Sequence, residues 1–334
     1  MSKLPFESMD RSLVVKREYH SSGKFGKSPE DRTTKEMLEF GMVNIDKPAG
    51  PTSHQISGYV KDILHIDKAG HSGTLDPGVT GVLPVGLSKA TRIMQSLLTA
   101  GKEYVGLMHL HDDIPEAKII DSVNKFQGKL MQLPPVKSAV KREIRERNVY
   151  YVEVLEIQGR EVLFKMGCQA GTYVRKWCHD FGLFIGSSAH MVELRRTKSG
   201  PFTEDNLTTL QELTDAFHYY KHDHDDSHLR KILVTPEFAV SHLRKIYVID
   251  TAVNSLCTGA YLKVPGVVKL EKGIEKDDIV AVFTLKDELI LVGKALMDTG
   301  QVMKSDKGIV VKTEQVFMEK GIYPKIDKPS EEMQ

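Results

Sequence analysis

One short segment of the chain places a carboxylate and an imidazole among three glycines: His71-Ser72-Gly73-Thr74-Leu75-Asp76-Pro77-Gly78-Val79-Thr80-Gly81. Asp-Pro-Gly is a strong turn signal, because Asp favours the first turn position and Pro fixes φ at the second. Taken alone, the segment therefore predicts a structural turn. Its composition also suits chemistry, since glycines let a ligand approach the backbone closely and His71 lies five residues before Asp76. Asp76 is accordingly a candidate catalytic carboxylate.

Basic side chains are concentrated in the middle third of the chain. The net charge is only +1, but residues 101–200 carry more Lys and Arg than Asp and Glu, and residues 201–250 show the opposite balance. A polyanion would have to be bound by a local patch, because charges beyond a Debye length are screened. The candidate patch comprises Lys137, Lys141, Arg142, Arg145, Arg147, Arg195, Arg196 and Lys198. Phosphate contact is its functional interpretation, and a solvated charged face is the alternative.

A second polar segment, residues 219–227, is rich in histidine and aspartate. Its imidazoles and carboxylates are possible metal ligands, but no apolar residues surround them to order a site. We therefore expect a solvated acidic loop there, and no metal ion in the protein.

Periodic patterns place the candidate residues in a mixed α/β domain. A strand at 42–45 ends at the Lys47-Pro48-Ala49-Gly50-Pro51 breaker, and Thr52 or Ser53 caps the helix that follows. Further predicted strands are 82–87, 103–111, 148–157, 162–166 and 189–196, and further predicted helices are 88–98, 115–126 and 172–184. The predicted fold class is mixed α/β (α+β) on one mostly antiparallel sheet.

The domain organisation follows from a change in composition near residue 248. Short β segments separated by glycine begin there, which is typical of a small β-barrel. We expect an N-terminal arm at 1–40, the mixed domain at 41–235, a linker at 236–247, the barrel at 248–325 and a tail at 326–334.

Membrane and secreted classes are disfavoured by composition. The 334 residues, 40% hydrophobic and 27% charged, contain no apolar run long enough for a membrane helix, and the charged N-terminus lacks the apolar core of a secretory signal. Only three cysteines occur, none in a C-x-x-C pair, so a disulfide framework and a cysteine zinc site are both disfavoured. We expect a cytoplasmic protein.

Ordered blocks of the chain resemble the signature motifs of the TruB family of pseudouridine synthases. The blocks are residues 44–54, 69–77, 101–104, 133–141, 171–175 and 194–197. The resemblance extends from about residue 38 to 325, since the terminal barrel resembles a PUA domain. The arm, the segment 108–112 and the PUA-like barrel are most similar to archaeal dyskerin-type members of the family.

The resemblance implies that uridine in RNA is isomerised without a cofactor: the N1–C1′ bond breaks, the uracil turns, and it rejoins through C5. A carboxylate beside C1′ can act as a nucleophile or stabilise an oxocarbenium-like centre. The resemblance assigns this role to Asp76, base stacking to Tyr104, and pairing with the carboxylate to Arg175. The residues alone identify Tyr104 only as a strand tyrosine and Arg175 only as a surface arginine of a helix.

The resemblance also implies RNA contacts around the extruded base. His71 would wedge into the opened RNA loop, Lys47 would order the site or meet a phosphate, and Leu194 would lie under the base. Phosphate contacts are expected from Lys137, Lys141, Arg142 and Arg195. Archaeal-type members usually have a lysine where this chain has Gly78, which puts one phosphate contact in doubt.

Two modes of action follow from the resemblance. The enzyme would act alone on uridine 55 of the tRNA T-loop, or on rRNA sites selected by an H/ACA guide RNA. The second mode implies three small partner proteins: a zinc-ribbon-like protein, a relative of a Gly/Arg-rich protein, and a kink-turn binder. Two alternatives stay open, a non-catalytic RNA-binding scaffold and a glycosylase that releases the base.

Overall fold

The computed structural model describes residues 2–134 and 141–325, so Lys137 of the predicted patch lies outside the described residues. The chain forms two units: residues up to Ser8 group with Gly41–Val234, and Met9–Phe40 group with the chain from Thr235 onward. Among the described residues, every helix is too short or too polar to cross a membrane.

The elements of the described residues are given in chain order. The strands are β1 (Leu13–Val15), β2 (Met42–Lys47), β3 (Ala69–His71), β4 (Thr80–Leu87), β5 (Lys102–Leu110), β6 (Gly128–Gln132), β7 (Arg145–Gln158), β8 (Glu161–Cys168), β9 (Ala189–Ser199), β10 (Arg244–Val248), β11 (Leu262–Lys263), β12 (Val267–Glu271), β13 (Ile279–Phe283), β14 (Leu289–Ala295) and β15 (Ile309–Val316). The helices are α1 (Thr34–Phe40), α2 (Ser53–Ile63), α3 (Met94–Leu98), α4 (Glu116–Lys125), α5 (Val174–Phe184), α6 (Leu210–His218), α7 (Ser227–Ile232), α8 (Pro236–Ala239), α9 (Asp250–Cys257) and α10 (Thr299–Lys304).

The first unit is built on one sheet with strand order β2-β4-β9-β5-β8-β7-β6, and β3 pairs with β4. Every pair is antiparallel except β4 with β9, which run parallel where Thr80 and Gly81 meet Arg195 and Arg196. This arrangement confirms the predicted α+β class and the mostly antiparallel sheet. The strand β5 lies between β8 and β9, so both of its edges are hydrogen-bonded.

An apolar core covers one face of this sheet. Met108 and Leu110 of β5 are fully buried in it, and Trp177 and Phe181 of α5 stack there with ring centroids 5.2 Å apart. Because side chains alternate along a strand, the even-numbered residues of β5 share this face. Tyr104 accordingly packs at the margin of the core.

The second unit contains a sheet with the order β1-β12-β10-β13-β14-β15-β11. The arm contributes β1, which pairs with β12, and Arg11 of the arm forms an ion pair with Glu271 at 2.9 Å. The strand β10 begins at Arg244, within the stretch 236–247 that the sequence analysis treats as a linker. Buried aliphatic side chains of β10–β15 form the core of this unit.

The segment 219–227 is largely exposed, as predicted for a solvated loop, but it is partly helical. One π-helical turn, Tyr219–Asp223, continues α6, and α7 begins at Ser227. A capping box at Thr209 starts α6, and the Phe217 and Tyr220 rings pack 6.0 Å apart where the helix continues. The predicted helix 88–98 is also less regular, since Ser88–Ile93 is a 3₁₀ turn that precedes α3.

Candidate active site

Asp76 lies in the loop between β3 and β4. Its carbonyl accepts a hydrogen bond from the Val79 amide at 3.0 Å, which closes the Asp-Pro-Gly turn. The carboxylate itself is 57% exposed. The two interpretations of this segment are therefore compatible, because a structural turn presents the carboxylate to solvent.

A buried lysine holds this loop through hydrogen bonds to its backbone. Lys47, at the end of β2, is 0% exposed, and its Nζ donates to the carbonyls of Pro48 at 2.9 Å, Pro77 at 3.0 Å and Val79 at 2.8 Å. Burial, and then the charge of Arg196, lower the pKa of Lys47. The predicted ordering role agrees with these bonds. The alternative role, a phosphate contact, is incompatible with full burial.

The start of α2 holds the other side of the loop. Thr52 caps the helix through a capping box with Gln55, as its position after the Pro-rich breaker predicts. The adjacent Ser53 hydroxyl donates to the Leu75 carbonyl at 3.1 Å and accepts from the Leu75 amide at 2.8 Å. Hydrogen bonds thus anchor the backbone on both sides of Asp76.

Arg175 reaches Asp76 from the first turn of α5. Its Nη2 donates to the Asp76 Oδ2, and its side chain is 61% exposed. The end of β6 positions this turn, because the buried Gln132 side chain accepts from the Tyr173 amide at 2.9 Å and donates to the Tyr173 carbonyl at 3.2 Å. The guanidinium can therefore orient the carboxylate.

Tyr104 lies on β5, directly opposite Arg196 of β9. Burial raises the pKa of the Tyr104 phenol, the nearby Arg196 guanidinium opposes this shift, and the Asp76 carboxylate adds to it. Arg196 is 1% exposed, and its Nε donates to the Val82 carbonyl at 2.7 Å. The structure thus brings Asp76, Tyr104 and Arg175 to one place.

Two further predicted residues lie beside this group. Leu194 is half-buried opposite Gly106, where a Cβ on the glycine would lie 3.1 Å from the Leu194 Cδ1. His71 ends β3, and its half-buried ring has a lowered pKa because of burial and the nearby charges of Arg196 and His54. The His71 Nδ1 is a buried atom with no hydrogen-bond partner among the described residues.

Four family models match successive parts of the chain. They are the TruB family pseudouridylate synthase N-terminal domain at residues 61–174, the tRNA pseudouridylate synthase B C-terminal domain at 175–241, the PUA domain at 244–317 and the DKCLD (NUC011) domain at 1–57. The chain is 53% identical, over 96% of both lengths, to a probable tRNA pseudouridine synthase B of Thermococcus kodakarensis.

The chain belongs to the TruB family of pseudouridine synthases. It is an enzyme of the isomerase class that converts uridine to pseudouridine in RNA.

Solved structures agree with this assignment over almost the whole synthase. The chain is 50% identical to the matching chain in the crystal structure of a Cbf5-Nop10-Gar1 complex, with a TM-score of 0.93 over 97% of this chain and 99% of that one. It is 48% identical, with a TM-score of 0.90 and the same coverage, to a chain in the structure of an H/ACA RNP bound to a substrate RNA containing 2′-deoxyuridine. The expected TruB-type catalytic fold followed by a PUA domain is confirmed.

The predicted phosphate patch of the synthase separates into exposed and neutralised residues. Lys141 and Arg142 are exposed, although Lys141 pairs with Glu143. Arg195 is held by two carboxylates, Asp46 at 2.9 Å and Glu204 at 2.5 Å. Lys198 pairs with Glu7 at 2.8 Å, and Arg196 is buried. The structure therefore contradicts a contact of Arg196 with RNA, and Arg195 would have to leave its partners to make one.

Sequence reasoning misjudged Arg196 and missed Gln132. Strand alternation was the available signal for Arg196, because it places this residue on the face of Leu194 and not on that of Arg195. Gln132 carries no local signal, since its partner Tyr173 is 41 residues away. Among the described residues, no group of three or more His, Cys, Asp or Glu side chains is arranged to hold a metal ion.

Proposed function

We propose that Asp76 is the catalytic carboxylate of this synthase and acts on a uridine extruded from folded RNA. The observation that carries the proposal is the Arg175–Asp76 ion pair, which lies at an exposed turn whose backbone accepts hydrogen bonds from the buried Lys47. A carboxylate that is both accessible and held in one orientation meets the geometric requirement for attack at C1′.

Each neighbouring residue has a part in this proposal. Arg175 orients the carboxylate, and Tyr104 stacks on the uracil from its half-buried position on β5. Leu194 lies under the base, and His71 enters the space that the extruded nucleotide leaves. Lys47 acts indirectly, because its three carbonyl acceptors fix the turn that carries Asp76.

We further propose two RNA substrates for this cytoplasmic enzyme. One is the tRNA T-loop at uridine 55, which the name of the Thermococcus relative favours. The other is rRNA paired to an H/ACA guide RNA, with partners like the Nop10 and Gar1 proteins in the similar complexes and a kink-turn binder. Exposed Lys141 and Arg142 would contact phosphates, and we expect the same of Lys137.

Tritium release from tRNA labelled with [5-³H]uridine tests the proposal. Wild-type protein should release tritium, and Asp76→Asn should release none while its RNA affinity stays within a few-fold of wild type. Mapping of the modified position then identifies the substrate uridine. When the protein alone is inactive, the assay is repeated with guide RNA and partner proteins.

Three results would contradict the proposal. Activity of Asp76→Asn would remove the residue from the chemistry. No tritium release by the wild-type protein in the presence of guide RNA and partner proteins would favour a non-catalytic scaffold. Free uracil with an abasic RNA product would favour a glycosylase, whereas isomerisation leaves the RNA mass unchanged.

A further inference from the structure

Among the described residues of the first unit, three cations are buried without a carboxylate partner. Lys47 is 0% exposed, Arg196 is 1% exposed and Lys102 is 5% exposed. The Lys102 Nζ donates to the carbonyls of Leu97 at 2.7 Å, Leu98 at 3.2 Å and Ala100 at 2.6 Å. The acceptors of Lys47 are likewise backbone carbonyls. Arg196 donates to the carbonyls of Val82 and Gly73 and also forms a hydrogen bond with the Tyr104 side chain. Carbonyl dipoles solvate these charges but do not cancel them.

Three other cations of the same sheet are neutralised by carboxylates. Arg195 has two carboxylate partners. Lys198 lies 2.8 Å from Glu7 and 3.8 Å from Glu103, and Lys165 lies 2.6 Å from Glu153. Burying a cation without an anion costs free energy, so uncompensated buried charge tends to be found where function requires it. The three buried cations that lack a carboxylate therefore need a functional explanation.

The position of Lys102 supplies that reason. It precedes Tyr104 by two residues on β5, and residues two apart on a strand share a face about 7 Å apart. Arg196 is the direct cross-strand neighbour of Tyr104, and its charge acts on Lys102, Lys47 and Tyr104. The buried cations thus lie behind the tyrosine on which the uracil is proposed to stack.

We propose that Lys102, together with Arg196, stabilises through space the negative charge that develops on the uracil when the N1–C1′ bond breaks. The inference rests on the proposed function of Asp76 and Tyr104. Both electrons of the broken bond stay on the uracil, whose anion is spread over N1, O2 and O4, while C1′ becomes electron-poor beside Asp76. When C5 bonds to C1′, C5 loses its proton, N1 gains one and the anion disappears.

Lys102 does not touch the base in this proposal, so its protonated ammonium acts through space. At a distance of about 10 Å and an effective dielectric constant of about 20, one charge changes the rate of a step that creates an anion by roughly 10-fold. The carbonyls of Leu97, Leu98 and Ala100 accept from the ammonium, while burial, and then the charge of Arg196, lower the pKa of Lys102 to about 7. The rates are therefore compared at about pH 6, where the ammonium is protonated.

The test compares two leaving groups in single-turnover reactions with the full chain and saturating tRNA, plus guide and partners where the wild type requires them. One RNA carries uridine at the target, and the other carries 5-fluorouridine, whose fluorine stabilises the uracil anion. Loss of the target nucleoside from nuclease digests gives both rates. The variants are Lys102→Met and Lys102→Gln, and Lys165→Met is the control because Lys165 is already neutralised by Glu153.

Both Lys102 variants should cleave uridine roughly 10-fold more slowly than wild type, with RNA affinity within about 2-fold. The ratio of the 5-fluorouridine rate to the uridine rate should rise at least about 3-fold, because a better leaving group depends less on the charge. Lys165→Met should match wild type in the uridine rate and in the ratio of the two rates. The ratio does not depend on the folded fraction, so a destabilised variant still reports it.

An unchanged ratio in the Lys102 variants would overturn the inference. A wild-type uridine rate in Lys102→Gln would also overturn the inference, because glutamine keeps a hydrogen-bond donor but has no charge. Lys102 would then have only a structural role in the loop. Neither result would affect the proposed role of Asp76, which fails separately if Asp76→Asn is active on either RNA.

Discussion

Replacement of Gln132 by alanine should damage catalysis from a distance. Gln132 is 3% exposed and makes two hydrogen bonds to the backbone of Tyr173, the residue before the first turn of α5. That turn carries Arg175, which holds Asp76. Gln132→Ala therefore removes the link between the end of β6 and the residue that orients the carboxylate.

The size of the effect follows from these contacts. Each of two neutral hydrogen bonds contributes about 1 kcal/mol, so the free energy of unfolding should fall by about 2 kcal/mol. A displacement of about 1 Å in a reacting group can lower a rate by about 100-fold. We expect the single-turnover rate to fall by about 10- to 100-fold, with RNA affinity within about 3-fold because Gln132 is buried.

Urea unfolding and single-turnover tritium release measure the two effects. Gln132→Glu keeps the acceptor for the Tyr173 amide and should retain part of the rate. Gln211→Ala, on the exposed surface of α6, should change neither quantity. A variant that is destabilised by the expected amount but reacts at the wild-type rate would show that Arg175 is positioned without Gln132.

Two further predictions concern buried and charged anchors. Lys47→Met should lower the free energy of unfolding by about 3 kcal/mol in urea titrations, because three carbonyls lose a charged donor. An unchanged urea midpoint would show that the loop is held without Lys47. In the second unit, Lys27 and then the Thr33 amide lower the pKa of Glu36 to about 2. Its contribution to stability is present above pH 4.5 and is lost as pH falls toward 2, so the difference in melting temperature between wild type and Glu36→Gln should shrink over that range. A constant difference would contradict the ion-pair explanation.

The sequence was sufficient wherever short-range rules decide the structure. The Asp76 turn, the Thr52 cap and the alternation of β5 each depend on neighbouring residues, and the structure has all three. The helical part of the segment 219–227 was not predicted, because its composition was considered without the helix that precedes it. The Phe217 and Tyr220 rings pack 6.0 Å apart where α6 continues as a π-helical turn into these polar residues.

Local sequence patterns could not predict the ion-pair and hydrogen-bond partners that lie far apart in the sequence. Arg195 finds Asp46 at a separation of 149 residues, and Lys198 finds Glu7 at a separation of 191. A run of basic residues therefore indicates positive charge but not whether an acid elsewhere in the chain cancels it. The same limit applies to Gln132, whose role depends on the approach of β6 to the start of α5.

The adjacent arginines of β9 show how long-range ion pairs and burial limit the prediction of RNA contacts. Arg195 and Arg196 point to opposite faces of one strand, so one pairs with two carboxylates and the other is buried behind Tyr104. Neither guanidinium is available to a phosphate without a cost: Arg195 would break its ion pairs, and Arg196 would leave the core. Our proposal for phosphate binding by the described residues of the first unit therefore relies on basic side chains outside β9, such as the exposed Lys141 and Arg142.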